Sequence, residues 1–122
     1  MEKTIEKKAM DIVMKFERRK GLKPIDVSKE RRGYDIKSGK KCIEVKGTTS
    51  KRATWVTLNR SLLRKIGAFF NNYYIYIVYD INNKAKLKII DSKYLFKNLE
   101  VATSLFISTK SVNAKKDTPL KK

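Results

Sequence analysis

The run Tyr-Tyr-Ile-Tyr-Ile-Val-Tyr at residues 73–79 constrains this chain most. Every residue in it is aromatic or β-branched, so each favours an extended, pleated backbone over a helix. A strand that is apolar at every position, and not at every second one, has to be covered on both faces. Seven residues are far too few to cross a bilayer. The N-terminus is charged and amphipathic, without the pattern of a secretion signal. The chain is therefore expected to fold around 73–79 as a central, doubly buried strand.

The segments on either side supply the rest. In residues 2–20, Ile5, Ala9, Ile12, Val13 and Phe16 recur at helical spacing and form one apolar stripe. Gly21 and Pro24 end that helix. Glu17 follows Val13 by four residues, which sets it at the edge of the stripe. After a loop over 22–32, a strand is expected at 33–37, a turn at Ser38-Gly39-Lys40 and a second strand at 41–47, together a hairpin. A third strand falls at about 54–58. Asn59 is placed to cap a helix through Leu62, Leu63, Ile66 and Phe69. Asn82-Asn83 is a turn, 87–90 a strand, Ser92 the start of a short helical turn and 102–107 a last strand. The order α-β-β-β-α-β points to an α/β fold with a mixed central sheet. One domain spans 1–107, and 108–122 read as a flexible basic tail.

Charge points to the partner. The 122 residues carry a net charge of +18, a field that attracts polyanions and binds phosphate backbones without sequence preference. DNA is the expected partner, with RNA open and no membrane. A solvated, lysine-rich surface is the plainer alternative. The chain has no histidine, which removes Ser-His and Cys-His nucleophiles, histidine bases and His-containing zinc sites. Its one cysteine, Cys42, allows no disulfide and suits a reducing, cytoplasmic compartment. A metal site here has to be built from carboxylates and backbone oxygens, the donors magnesium and manganese prefer.

Glu44-Val45-Lys46 is the motif with chemistry in it. On a strand, Ile43 and Val45 point one way and Cys42, Glu44 and Lys46 the other. Glu-x-Lys alone means little, since Glu6-Lys7-Lys8 repeats it inside the first helix. The hairpin adds weight: with the turn at 38–40, Asp35 comes opposite Glu44. Two carboxylates facing each other repel, and a bound cation removes the penalty. A metal on two carboxylates, with a lysine beside it, is the equipment phosphodiester hydrolysis requires. Between Lys29 and Lys65 lie twelve basic and three acidic residues, half of the chain's surplus charge. Arg31, Arg32, Lys51, Arg52 and Arg60 are the candidates for holding phosphates.

Glu17, Gly33-Tyr34-Asp35-Ile36 and Ile43-Glu44-Val45-Lys46-Gly47 together resemble the ordered motif of the PD-(D/E)XK nuclease superfamily. From Phe16 to Tyr79 the chain is similar, more narrowly, to the family of domains found at the C-terminus of the plant protein NO VEIN. The resemblance implies a restriction-endonuclease-like sheet with a helix on each side. It implies a magnesium or manganese site at Asp35, Glu44 and Val45, a catalytic Lys46, and a Glu17 that helps bind metal or water. The activity implied is a metal-dependent endonuclease acting on DNA, possible as a homodimer, although nothing in the sequence fixes an interface. A binding module with the nuclease fold and no turnover is one alternative, and a Holliday junction resolvase is another. Relatives often carry Glu-Trp between the third strand and the second helix. Here Asn59-Arg60-Ser61 stands there, which leaves substrate choice open.

Overall fold

A computed structural model of the chain describes residues 2–53, 55–57, 60–68, 71–98, 106–108 and 118–119. Its first element is helix α1, Glu2–Arg19. Gly21, at φ +84°, closes it: the Gly21 N–H donates to the Arg18 carbonyl and the Leu22 N–H to the Glu17 carbonyl, the paired bonds of a Schellman cap. The expected stripe is present, with Ala9 and Val13 at its buried centre and Ile5, Ile12 and Phe16 flanking them. Glu17 lies at that centre too, fully buried, and not at the edge.

The chain then runs through β1 (Ile25–Asp26), β2 (Ile36–Ser38), β3 (Lys41–Gly47), β4 (Trp55–Thr57), α2 (Arg60–Ala68), β5 (Tyr73–Tyr79), β6 (Lys86–Asp91), α3 (Ser92–Lys97), β7 (Phe106–Ser108) and β8 (Thr118–Pro119). Six strands form the main sheet in the order β1-β2-β3-β5-β6-β8. It is mixed: β3 and β5 are parallel, and every other neighbouring pair is antiparallel. The architecture is thus the expected α/β one.

β5 lies between β3 and β6 and is buried on both faces, as its composition requires. Tyr76 and Val78 face α1, in a core with Ala9, Val13, Ile36, Ile43 and Leu87. Tyr73, Ile75, Ile77 and Tyr79 face the opposite way, in a core with Cys42, Ile66 of α2 and Leu95 of α3. Cys42 is accordingly a packed core residue.

Two expectations need correction. The strand at 55–57 does not extend the main sheet but pairs with β7 in a second, two-stranded one. α3 starts at Ser92, as expected, and Asp91 caps it, accepting from the Tyr94 N–H at 2.9 Å. Within the stretch read as a basic tail, Ser108 belongs to β7, and Thr118–Pro119 pairs with the edge of β6. The rest of that stretch, and the Asn59 cap, lie outside the described residues. Among the described residues no helix is long and apolar enough to cross a membrane.

Candidate functional site

The hairpin register builds the site. Ile36 pairs with Ile43, and the Asp35 N–H donates to the Ile43 carbonyl at 2.8 Å, so the ladder continues one residue beyond β2. Asp35 therefore falls opposite Glu44. Asp35 Oδ2 accepts from the Val45 N–H at 2.8 Å. Backbone groups on a strand alternate in direction, so the Val45 carbonyl points the same way as that of Ile43, past the end of β2. Two carboxylates and one carbonyl thus converge where β2 has stopped.

A cleft of about 340 Å³ opens at that point. Asp35, Glu44, Val45, Lys46 and Gly47 form one wall; Glu6, Ala9 and Met10 of α1 form another, with Ser28 at the rim. Gly47 sets how closely α1 approaches. A Cβ there would lie 2.9 Å from the Ala9 Cβ and 3.3 Å from the Ile5 carbonyl oxygen, contacts that only glycine avoids.

The charges in the cleft are incompletely balanced. Burial, and then the facing Glu44 charge, push the Asp35 carboxyl above its ordinary value, against the opposing pull of the Val45 N–H, Lys46 and Lys65. Glu44 lies between two ammonium groups. Lys46 Nζ is 3.3 Å from its Oε2, and Lys65 Nζ, reaching from α2, is 3.6 Å from its Oε1. Lys46 is mostly exposed, while Lys65 is largely covered. Tyr73 lies close by in the core, its phenol pushed upward by burial and then by the charges of Glu44 and Asp35.

These donors fit a hard divalent cation. All are oxygens, and the two that carry charge face each other at a cost which a cation would remove. Among the described residues no three of Asp, Glu, Cys or His come together as a metal-binding group. A cation here would rest on Asp35, Glu44 and the Val45 carbonyl, with water or substrate oxygens completing its shell.

Glu17, expected at this site, lies elsewhere. It sits at the far end of α1 and is saturated there. Ser38 Oγ donates to Oε1 at 2.8 Å, Tyr76 OH donates to Oε2 at 2.7 Å, and Lys41 Nζ pairs with Oε1 at 2.5 Å. Lys41 also donates to the Tyr76 hydroxyl oxygen at 3.0 Å. Burial opposes ionisation of Glu17, but the bonds from Lys41, Tyr76 and Ser38 outweigh it and hold the carboxyl below its usual value. Lys41 is at the start of β3, whereas Glu44 and Lys46 are toward its end. That separation is why Glu17 does not join them.

The other expected residues divide. Arg31 and Arg32 are exposed on the loop between Ser28 and Asp35, and Arg32 pairs with Glu30 at 2.8 Å. Lys51 and Arg52 are exposed on the loop that leaves the cleft after Gly47. Both loops lead directly from cleft residues. Arg60 opens α2, and its side chain lies outside the described residues. One cleft residue, Glu6, and one partner of Glu44, Lys65, were missed. Lys65 is brought to Glu44 only by the packing of α2, which no local pattern announces. Glu6 shares a helix face with Met10 four residues on, a spacing that could have been read.

Three comparisons bear on the site. A family model described as the C-terminal region of the protein NO VEIN matches residues 5–90. No curated protein and no solved structure matches the chain. The matched span contains the whole cleft, from Glu6 to Gly47, together with Lys65 and the Glu17 network.

Proposed function

This chain belongs to the NO VEIN C-terminal family, and from that membership and the cleft's geometry we propose that it is a metal-dependent endonuclease of PD-(D/E)XK type, hydrolysing phosphodiester bonds in DNA. One observation carries the reading: Asp35 and Glu44 face each other across the hairpin ladder at the mouth of an open cleft, with Lys46 beside them. Glu44 is paired with Lys46 and Lys65, whereas the Asp35 carboxyl is pushed up by burial and then by the facing Glu44 charge.

Asp35, Glu44 and the Val45 carbonyl would hold the cation, magnesium or manganese. When bound, it polarises a phosphoryl oxygen and lowers the pKa of water. Lys46 has a largely exposed ammonium two residues beyond Glu44 on the same strand face. Lys46 would orient the attacking water and offset the charge that builds on the phosphoryl oxygens. Lys65 keeps the local field positive from the α2 side. Arg31, Lys51 and Arg52 hold the strand on either side of the cut.

Supercoiled plasmid, single strands and a four-way junction, each with magnesium, with manganese and with chelator, test this directly. Metal-dependent cutting by the wild type, lost in Glu44→Ala, is the expected result. Intact substrates in every condition would overturn it. A second reading has one observation in its favour: among the described residues no third carboxylate joins Asp35 and Glu44 as a metal-binding group, since Glu17 is engaged elsewhere. On that reading the protein is a nucleic-acid-binding module without turnover, and its binding would ignore divalent ions and survive Glu44→Ala.

A further inference from the structure

The cleft accounts for one end of β3 and leaves the other unexplained. At that end the last turn of α1 is fastened to the β2–β3 turn. Ser38 and Lys41 both bind Glu17, and the Gly39 Cβ position is 3.7 Å from Leu22 Cδ2. The fastening brings the segment carrying Arg18, Arg19, Lys20 and Lys23, from α1 and its exit, against the turn carrying Lys40, with Lys37 on the other face of the same hairpin. Lys41 is neutralised by Glu17, and no other acidic residue occurs in 17–23 or 37–41. Among the described residues Arg18, Lys20, Lys23 and Lys40 form no ion pair with a carboxylate, and all four are exposed.

Ordinary structural roles explain only part of this. Arg18 and Arg19 complement the helix dipole in the last turn. Lys23, Lys37 and Lys40 are outside that turn. Lysines also guard exposed sheet edges, but β2 and β3 are each paired on both sides and have no edge to guard. The buried Glu17 network holds together the two segments that carry these cations.

We propose that this basic end is a second contact for the phosphate backbone of duplex DNA, a surface that determines how much duplex a productive complex needs. The proposal rests on the nucleic-acid reading above. Five residues of β3 separate Lys41 from Lys46, about 17 Å at a strand's rise. At 3.4 Å per base pair this is about five base pairs, so the duplex extends from the cleft along β3 and α1 to the basic end.

Binding in chelator, where no cutting occurs, separates this proposal from the nuclease reading. The variant carries Arg18→Gln, Lys23→Gln and Lys40→Gln. A control carries Lys84→Gln, Lys86→Gln and Lys93→Gln, which removes the same net charge from another part of the surface. The salt dependence of wild-type binding to a long duplex should be steep, and in the variant shallower by about 2–3 in log K against log salt. The control should keep the wild-type slope, and both should melt at the wild-type temperature. A duplex reaching only about three base pairs from the cut should bind wild type and variant alike. Equal slopes in variant and wild type, or equal losses in variant and control, would overturn the proposal and leave the nuclease reading standing. Absence of wild-type DNA binding would overturn both. Variant-sensitive binding to phosphatidylserine vesicles, with DNA binding unchanged, would reassign the surface to membranes.

Discussion

The two ends of β3 each carry a carboxylate site, and the sites are built on opposite principles. At the Lys41 end, Glu17 is fully buried yet has a hydroxyl donor on each oxygen and an ammonium beside it. At the Lys46 end, Asp35 and Glu44 are only partly buried, but they face each other and meet an open cleft. Burial alone would have ranked Glu17 as the perturbed, reactive group. The reverse holds: its carboxyl is held below the ordinary range, while that of Asp35 is pushed above it. Both carboxyls are pushed up by burial, but Glu17 has hydroxyl and ammonium donors that outweigh it, whereas Asp35 faces the Glu44 carboxylate.

That contrast can be broken most severely at Glu17. Glu17→Ala leaves the Lys41 ammonium without its carboxylate and should cost about 3–5 kcal/mol, read from urea unfolding. The pH dependence should agree. A carboxyl whose pKa is lowered on folding stabilises the protein above its unfolded value, near 4.5, and that contribution disappears as pH falls through the lower folded value. The acid limb of the wild-type stability curve should therefore be steeper than that of Glu17→Gln.

Gly47→Ala comes next. Its Cβ would push on Ala9 and Ile5 at the cleft wall, and the overpacking should cost about 1–3 kcal/mol of unfolding free energy. It should also reduce cutting, since the displaced end of α1 lines the site. The Glu17 network, at the other end of the helix, should keep its acid limb.

Asp35→Asn should have the smallest effect and the opposite sign. It retains an oxygen for the Val45 N–H but removes the like-charge opposition, which is worth about 0.2–1 kcal/mol. A carboxyl whose pKa is raised on folding contributes stability below its unfolded value, and that contribution is lost as pH rises through the raised one. At neutral pH without metal, Asp35→Asn should thus melt slightly higher than wild type. A lower melting temperature would mean that the pair is already balanced internally.

Local chemistry made much of this legible. The aromatic run of 73–79 could be nothing but the central strand, and Ser38-Gly39-Lys40 fixed a hairpin register that places Asp35 opposite Glu44. Gly21 marked the end of α1. Long-range packing was not legible. Helical period put Glu17 on the buried face but could not tell at which end of β3 it would land, because that depends on the direction in which α1 crosses the sheet. The pairing of β4 with β7 joins segments about fifty residues apart and has no local signature. β1, with two residues, is too short to show alternation. Lys65 approaches Glu44 only after α2 has packed.

Calorimetric titration with manganese, on wild type, Glu44→Gln and Glu17→Gln, tests the central claim most directly. One site in the wild type, lost in Glu44→Gln and retained in Glu17→Gln, is the predicted result. Absence of manganese binding in the wild type, or binding that Glu44→Gln leaves unchanged, would contradict the assignment of the Asp35–Glu44 pair as the metal-dependent centre.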